Sequence, residues 1–336
     1  MSDTIEAQCR ALIAELGLGG GADVAEVTPL TGGVASDIAR FRLGEEVLCA
    51  KFALAKLKVA EDWRAPVHRN AAEYAWLGFA AQVDPASAVR LYGRSEAQHG
   101  FVMAYIAGPD VYLWKTALLA EAPDRDEARR VGDALGRLHA ASTKPGFDTA
   151  PFQNHADFWD IRIEPYLTFT ATRHPDLAGD LHEMADALHA ASQVLVHGDV
   201  SPKNILFRSE GPVFLDAECA TMGDASFDPA FCLNHLVLKA VHLPASRARL
   251  LAAVGAFWAA YRAFIDFEDA AALEARVARL LPALMLARVD GKSPVEYLSE
   301  TNRDRVRRCA RALIADPAPT LAALTGRIED LLSHHG

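Results

Sequence analysis

The sequence contains few cysteines and no excess of basic residues, and both absences exclude classes of protein. Its 336 residues include 34 lysines and arginines against 44 aspartates and glutamates, a formal net charge of −10. A protein that binds nucleic acid through its phosphates shows a basic surface, so we expect no nucleic-acid partner. The cysteines are dispersed and form no Cys-x-x-Cys pair, which argues against a disulfide framework or a zinc knuckle. They are Cys9, Cys49, Cys219, Cys232 and Cys309.

The sequence also has no long apolar run. A membrane-spanning helix needs about 20 consecutive apolar residues, and the most apolar stretch, residues 250–265, is interrupted by Arg262. The first residues, Met1 to Glu6, include acidic side chains where a signal peptide has a basic start followed by an apolar segment. We therefore expect a cytoplasmic protein that does not contact a membrane.

Glycine and proline, at 22 and 17 residues, are too few for a collagenous or disordered chain, and the length fits about two domains. Hydrophobic spacing predicts a strand-rich N-terminal part followed by a larger helical part. The strand-like runs are residues 24–30, 38–43, 47–52, 89–92 and 100–106, with helices at 5–16 and 67–82. Further helices are predicted at 126–142, 157–172, 177–192, 245–264, 270–290 and 303–316, and residues 194–215 contain a short strand and a hairpin.

The residues with the strongest chemical pattern lie in and after this hairpin, at 196–206 and 214–218. Asp199 follows a strand, Asn204 begins the next strand, and Asp216 ends the returning strand, so pairing of the hairpin brings Asp216 near Asn204. One amide oxygen and one carboxylate suit Mg²⁺, which takes few protein ligands and completes its shell with phosphate and water. The remaining carboxylate, Asp199, would face an incoming hydroxyl group as its base.

This stretch meets the Asp-to-Asn spacing of the protein-kinase signature, but Gly198 and the Asp216-Ala-Glu218 sequence differ from it. Here the chain resembles the aminoglycoside phosphotransferase and choline-kinase group, whose loop reads His-Gly-Asp-x-x-x-x-Asn and is followed by Asp-x-Glu. Residues 223–230 are similar to the Gly-Asp-Pro-x-x-Asp-Leu-Ala sequence that follows in that group. The resemblance implies a bilobal, protein-kinase-like α+β fold, with a small β-rich lobe at 1–106, a helical catalytic and substrate-binding lobe at 107–336, and ATP and Mg²⁺ between them.

The order of motifs in the N-terminal part is consistent with this resemblance. Lys51 ends a strand-like run and would reach the phosphates of ATP, and Glu73 on the following helix would hold it. Lys56 and Lys58 are alternatives to Lys51, and Glu61 is an alternative to Glu73. The loop that would cover the phosphates includes Gly32, Gly33 and Ser36, and the segment that would bind adenine includes Met103, Ala104 and Tyr105.

Several roles in the C-terminal part stay open at this stage. Lys203 would stabilise charge on the transferred phosphate or lie in solvent. Glu218 would contact magnesium, bind substrate or accept a buried hydrogen bond, whereas His197 and Asp228 are expected to hold the catalytic loop. The candidate substrate-binding residues are Asp157, Asp160, Glu218, Arg288 and Asp290.

The sequence therefore predicts an ATP- and Mg²⁺-dependent phosphotransferase that transfers the γ-phosphoryl group to a hydroxyl of a small molecule. After Asp216 the chain has no long activation segment with an Ala-Pro-Glu anchor, which favours a small acceptor over a protein. The acceptor would be a metabolite such as a sugar or an amino alcohol, or else an aminoglycoside. Two alternatives remain: a non-catalytic nucleotide-binding sensor or scaffold with the same fold, and a metal-dependent hydrolase. The expected assembly is a monomer or a homodimer.

Overall fold

The computed structural model describes residues 2–30, 36–56 and 66–333. Its N-terminal region is built on a five-stranded antiparallel sheet with the strand order β1-β2-β3-β5-β4. The strands are β1 (Val24–Leu30), β2 (Ser36–Leu43), β3 (Glu46–Ala53), β4 (Leu91–Ser95) and β5 (Gly100–Ala104). Helix α1 (Ser2–Glu15) packs against β1, and α2 (Arg69–Val83) connects β3 to β4.

Alternation along β3 decides which of its side chains can reach the rest of the protein. Successive residues of a strand point to opposite faces of a sheet. Leu48, Ala50 and Phe52 belong to the apolar cluster under α1, whereas Cys49 joins the main core on the other face. Lys51 alternates with Ala50 and therefore lies on the same face as Cys49, which is the face toward α2 and the helical region.

The C-terminal region is mostly helical. Its helices are α3 (Trp114–Leu119), α4 (Glu127–Ser142), α5 (His155–Phe158), α6 (Phe169–Arg173), α7 (Ala178–Ala190), α8 (Phe227–His242), α9 (Arg247–Arg262), α10 (Ala270–Asp290), α11 (Glu300–Ala315) and α12 (Leu321–Ser333). Helix α8 is buried along almost its whole length because α9 and α10 both pack against it. Helix α4 approaches α9 closely at Gly132, where a Cβ atom would lie 2.3 Å from the carbonyl oxygen of Phe257.

Two small sheets hold the segment between α7 and α8. Strand β7 (Val194–Val196) pairs with β10 (Thr221–Gly223). Strand β8 (Ile205–Phe207) lies between β6 (Tyr112–Leu113) and β9 (Pro212–Phe214). The predicted hairpin is confirmed, since Ile205 pairs with Phe214. These sheets fix both ends of the loop that contains Asp199.

The architecture is α+β, as predicted, with a sheet-rich N-terminal region and a helical C-terminal region. The helix predicted at 157–172 differs in detail, because α5 and α6 are joined by a π-helix, Trp159–Thr168, that contains Pro165. Proline has no N–H group and cannot donate the regular α-helical hydrogen bond at that position. Of the helices in the described ranges, none combines the length and apolarity needed to cross a membrane.

Candidate active site

The loop that follows β7 is held by one buried carboxylate. Asp228, at the start of α8, is completely buried and accepts hydrogen bonds from the backbone N–H groups of His197 at 2.7 Å and Gly198 at 2.9 Å. The Nδ1 atom of His197 in turn accepts the N–H of Asp199 at 3.1 Å. Asp228 and His197, which the sequence analysis expected to hold this loop, thus fix the backbone conformation next to Asp199.

Gly198 meets two requirements that only glycine satisfies easily. Its φ angle is +82°, in the left-handed region that favours glycine. A Cβ atom at this position would lie 2.8 Å from the Cβ of Cys219 and 2.9 Å from its carbonyl oxygen. The loop that contains Asp199 therefore packs directly against the segment that follows Asp216, so Asp199 and Asp216 lie in the same part of the structure.

The carboxylate of Asp199 is buried between two cations. Its Oδ2 atom lies 2.9 Å from Nη2 of Arg162 and 3.1 Å from Nζ of Lys203. Burial opposes ionisation, but the charges of Lys203 and Arg162 outweigh it and hold the pKa of Asp199 below its usual range. The other oxygen, Oδ1, is buried and has no hydrogen-bond partner in the described part of the chain. Asp199 is therefore ionised and has one oxygen left to accept a hydrogen bond.

Arg162 is a site residue that the sequence analysis missed. It lies on the π-helix, is 6% exposed, and donates from Nε to the carbonyl oxygen of Gly198. Its guanidinium also lies over the ring of Phe231, 5.8 Å from the centroid. In the sequence, the only sign of this residue was a basic side chain in the helix predicted at 157–172. The acidic residues Asp157 and Asp160 of that helix were selected as candidates instead.

Asn204 and Asp216 are adjacent, as the hairpin predicts. The N–H of Leu215 donates to the carbonyl oxygen of Asn204 at 2.9 Å. The side-chain amide of Asn204 donates from Nδ2 to the carbonyl oxygen of Asp199 at 3.1 Å, so Oδ1 is the atom left for a cation. Asp216 has a φ of +69° and forms an ion pair with Lys51. Burial opposes ionisation of Asp216, but Lys51 and Lys203 outweigh it and lower its pKa.

Lys51 lies between two carboxylates. Its Nζ atom is 2.7 Å from Oε2 of Glu73 and is also paired with Asp216. Burial disfavours the charged lysine, yet Asp216 and Glu73 outweigh burial and raise the pKa of Lys51. Lys56 is exposed, and the other two alternatives, Lys58 and Glu61, lie outside the described residues. The structure thus brings together Lys51, Glu73 and Asp216.

The other residues predicted to bind the nucleotide, where the structure describes them, lie at the start of β2 and at the end of β5. Ser36 is buried, whereas Gly32 and Gly33 lie outside the described residues. Met103 pairs with Cys49 in the sheet. The N–H of Ala104 donates to the carbonyl oxygen of Arg90 at 2.8 Å, and that of Tyr105 donates to Val47 at 3.1 Å. These two N–H groups are already used within the protein, so an adenine at this segment would need other backbone groups.

Of the candidate substrate residues, three have an arginine or histidine partner in the described part of the chain, whereas Asp160 and Arg288 form no ion pair there. Glu218 pairs with Arg69 at 2.9 Å, and Asp157 lies 2.7 Å from His68. Asp160 is exposed on the π-helix.

The other two candidates lie at the end of α10. Asp290 pairs with His174 and Arg307, at 2.8 and 2.7 Å. Arg288, two residues before Asp290, donates to the hydroxyl of Tyr166 at 3.1 Å, a neutral acceptor.

Comparison with known proteins agrees with this arrangement. The sequence profile of the phosphotransferase enzyme family matches residues 26–264, more than half of the chain. A segment of 148 residues is 33% identical to the homoserine kinase of Beijerinckia indica subsp. indica, and covers 40% of this chain and 44% of that enzyme. The chain therefore matches less than half of the length of this relative.

Two solved structures show the same fold over nearly the whole chain. A choline/ethanolamine kinase family protein from Mesorhizobium loti is 19% identical, covers 96% of this chain and 99% of its own, and superimposes with a TM-score of 0.53. An amicoumacin kinase in complex with AMP-PNP, Ca²⁺ and Ami is 13% identical, with a TM-score of 0.55 over 95% of this chain and 98% of its own. With the profile match, this confirms the resemblance inferred from the motifs: the chain belongs to the phosphotransferase enzyme family.

Proposed function

We propose that the protein transfers the γ-phosphoryl group of ATP to a hydroxyl group of a small molecule. The observation that carries this proposal is the state of Asp199, an ionised and buried carboxylate with one oxygen unpartnered, beside the Lys51–Asp216 pair. A carboxylate in this state can accept the hydrogen bond of an acceptor hydroxyl and orient it for attack. The related homoserine kinase, by its name, also has a hydroxylated small molecule as its acceptor.

Asp199 would act mainly by orientation. Arg162 and Lys203 keep its pKa low, so it is a weak base toward a free hydroxyl group. The transition state of phosphoryl transfer is loose, however, and the hydroxyl proton becomes acidic only as the new P–O bond forms. Asp199 Oδ1 would then take that proton, while the guanidinium of Arg162 holds Oδ2 in place.

Two lysines would hold the phosphates. Lys51 is fixed by Glu73 and would bind phosphate oxygens from the sheet side. Lys203 has a side chain that is 45% exposed and lies 3.1 Å from Asp199, so it would neutralise charge on the phosphate that is transferred. Gly32, Gly33 and Ser36 would cover the phosphates, and Met103 to Tyr105 would contact the base. Residues 1–106 would therefore form the nucleotide-binding lobe, and residues 107–336 the catalytic and substrate-binding lobe that contributes Lys203.

The chemistry of the donor set fits a divalent cation. Asn204 offers an amide oxygen and Asp216 a carboxylate whose side chain is 31% exposed, two oxygen ligands of the kind that Mg²⁺ takes when phosphate and water supply the rest. Mg²⁺ held by these residues would neutralise charge on the phosphate oxygens of ATP. Asp216 would then exchange part of its ion pair with Lys51 for the cation, leaving Glu73 to hold the lysine.

The test is ADP release from Mg-ATP across a panel of hydroxylated acceptors. The panel contains aminoglycosides, choline, ethanolamine, pentoses, methylthioribose and homoserine, and Asp199→Asn is the inactive variant. Asp186→Asn is the matched control, because Asp186 is an exposed carboxylate on α7 to which no role is assigned. Acceptor-dependent release that is lost in Asp199→Asn and kept in Asp186→Asn supports the proposal. Nucleotide binding with no acceptor-dependent release would favour a sensor, and release that needs no acceptor would favour a hydrolase.

A further inference from the structure

Two buried cations lie beyond Asp199 without a carboxylate partner. Arg288 on α10 is 8% exposed, and Lys239 on α8 is 1% exposed. Arg288 donates from Nη1 to the Tyr166 hydroxyl at 3.1 Å and to Ser293, which are neutral acceptors. Lys239 lies 3.4 Å from the carbonyl oxygen of His235 and 5.0 Å from the centroid of the Tyr297 ring. Across the described ranges, neither cation forms an ion pair.

Glu296 interacts electrostatically with both cations, but its carboxylate is paired with another residue. Glu296 has a side chain that is 67% exposed and pairs with Lys115. The charge of Arg288 lowers the pKa of Glu296, and Glu296 acts weakly on Lys239, but neither pair is within ion-pair distance. Asp290, on the same helix as Arg288, is paired with His174 and Arg307. The fold therefore leaves both cations uncompensated.

Three further polar atoms around these cations are buried and have no partner within the described part of the chain. They are Nε of Arg288, Nε2 of His235 and the hydroxyl oxygen of Tyr297. Arg288 and His235 are themselves more than nine-tenths buried. Buried polar groups in proteins are almost always hydrogen-bonded, so a group of three unpaired atoms beside two unpaired cations indicates a missing ligand.

This cluster, defined by His235, Lys239, Arg288 and Tyr297, is continuous with Asp199. Arg162, which holds Asp199, lies over the ring of Phe231, and Phe231 contacts the ring of His235 at a centroid distance of 5.7 Å. The charges of Arg288 and Lys239 lower the pKa of His235, while that of Asp199 raises it. His235 therefore lies within electrostatic reach of both the catalytic carboxylate and the two cations.

The energetic cost of this arrangement is large without a ligand. An isolated buried cation loses its hydration without compensation, so such groups are paired or lose their proton. Lys239 is a cation of the kind that loses its proton. Its burial lowers its pKa to about 7, and the positive charges of Lys115 and Arg288 contribute to this shift. Binding of one negative charge would satisfy Arg288 and restore the charged form of Lys239. A positively charged ligand would increase the cost further.

We propose that the acceptor carries a carboxylate, which Arg288 and Lys239 bind while the acceptor hydroxyl lies against Asp199. This inference rests on the proposed function and narrows its acceptor to hydroxylated carboxylic acids, including hydroxy amino acids. It excludes choline, ethanolamine and aminoglycosides as preferred acceptors, because their positive charge would face Arg288 and Lys239. His235 Nε2 and the Tyr297 hydroxyl supply the neutral hydrogen bonds of the same site.

The test uses acceptors in matched pairs that differ only in the carboxylate. The pairs are homoserine with 3-aminopropan-1-ol, glycerate with ethane-1,2-diol, and 4-hydroxybutyrate with propan-1-ol, and glycerol 3-phosphate and choline are added as other charge types. Binding to the full chain is measured by titration calorimetry, and turnover by ADP release from Mg-ATP. We expect at least one carboxylate to bind, and to exceed its counterpart without the carboxylate in both affinity and turnover.

The same two measurements on variants of Arg288 test whether the carboxylate binds at this cluster. We expect Arg288→Gln to weaken carboxylate binding at least about 30-fold, the loss typical of truncating one partner of a buried charge pair, and Arg288→Lys to recover part of it. The matched control is Arg279→Gln, because Arg279 lies on the same helix and pairs with Glu183 at the surface. Arg288→Gln should leave the affinity for Mg-ATP unchanged, which a general loss of folding would not.

The outcomes separate this inference from the proposed function. ADP release with neutral or cationic acceptors, at rates equal to those with carboxylates, would overturn the inference and leave the phosphotransferase intact. Preference for glycerol 3-phosphate over every carboxylate would also overturn it, in favour of a phosphorylated acceptor. Carboxylate binding that depends on Arg288, without any turnover of ATP, would support the anion site and count against the proposed function. If no carboxylate binds, or if Arg288→Gln binds as well as the wild type, the inference is wrong.

Discussion

The guanidinium of Arg69 donates from Nε to Oε2 of Glu218 over 2.9 Å, and both side chains are more than nine-tenths buried. Arg69 is the first residue of α2, the helix that carries Glu73, and Glu218 follows Asp216 by two residues. The ion pair therefore connects α2, which carries Glu73, to the segment that carries Asp216. Glu73 and Asp216 are the two carboxylates that contact Lys51. Of the roles left open for Glu218, the structure favours a buried acceptor of hydrogen bonds.

Breaking the Arg69–Glu218 pair should cost both stability and nucleotide affinity. Removal of one member of a buried ion pair leaves an uncompensated charge and costs about 3–5 kcal/mol. We expect Arg69→Gln and Glu218→Gln each to lower the free energy of unfolding in urea by that amount and to raise the KM for ATP, because Glu73 loses its fixed position. The control is Arg94→Gln, whose partner Glu96 has a side chain that is 87% exposed, and it should change stability by less than about 1 kcal/mol. Unchanged stability in both Arg69 and Glu218 variants would contradict the assignment.

Local sequence signals were sufficient to predict most of the fold. Strand β1 and helix α10 have the predicted bounds, because turn residues and apolar spacing mark both ends of each in the sequence itself. Strand β10 and the π-helix were not predicted. Strand β10 has only three residues and exists through its pairing with β7, and the π-helix has the apolar spacing of any helix.

Contacts within the site could be predicted where the two residues lie close together in the sequence. A hairpin fixes the distance between Asn204 and Asp216, so spacing alone placed them together. The pairing of Arg162 with Asp199 joins two elements through tertiary packing, and no local pattern distinguishes this arginine from a solvent-exposed one.

Asp199 and Asp216 should be equally important for turnover. Asp199 would orient the hydroxyl and take its proton, and Asp216 would hold both Lys51 and the cation that neutralises the phosphates. Since phosphoryl transfer depends on positioning and charge neutralisation, Asp199→Asn and Asp216→Asn should each lower kcat by about 10²–10⁴-fold. Steady-state kinetics with the best acceptor checks this, with Asp186→Asn, a change to an exposed carboxylate on α7, as the matched control. Near-normal kcat in Asp216→Asn would be incompatible with its proposed role.

Arg162 should determine the pH at which the enzyme loses activity in acid. Burial raises the pKa of Asp199, and the charges of Lys203 and Arg162 lower it, so Arg162→Gln raises that pKa and leaves Lys203 alone to oppose burial. The active form is the carboxylate, and the acidic limb of the kcat profile therefore moves to higher pH in the variant. Arg162→Lys, which keeps the charge, should recover part of the shift. Arg173→Gln is the control, as Arg173 is exposed on α6, and an acidic limb unchanged in Arg162→Gln would contradict the pairing.

Two glycine substitutions should have opposite effects on stability. Gly198→Ala forces an alanine into a φ of +82° and brings its Cβ within 2.8 Å of Cys219, so we expect a loss of at least about 2 kcal/mol and a large loss of kcat. Gly255 lies in α9 with no atom within 4 Å of an added Cβ. Gly255→Ala should therefore stabilise the protein by about 0.5–1 kcal/mol. Urea denaturation measures both, and equal effects would contradict the described loop geometry.

Lys239→Met should make the protein more stable at neutral pH. Burial lowers the pKa of Lys239 from 10.5 to about 7, so between pH 7 and 9 the unfolded chain binds more protons at this position than the folded chain does. The free energy of unfolding of the wild type should therefore rise across this range, and methionine should remove that rise. The titratable groups that act on the Lys239 ammonium are Lys115 on α3, the buried thiol of Cys232 on α8, Arg288 on α10 and Glu296 after α10.

Urea denaturation at pH 7, 8 and 9 measures this effect directly. Replacing an unpaired buried charge by an apolar side chain of similar length should raise the free energy of unfolding at pH 7 by about 1–4 kcal/mol. Lys144→Met is the control, because Lys144 is half-exposed and pairs with Asp266 at the surface, and it should change stability by less than about 0.5 kcal/mol. A loss of stability in Lys239→Met would show that the fold itself stabilises this ammonium, and would remove the energetic argument for an anionic acceptor.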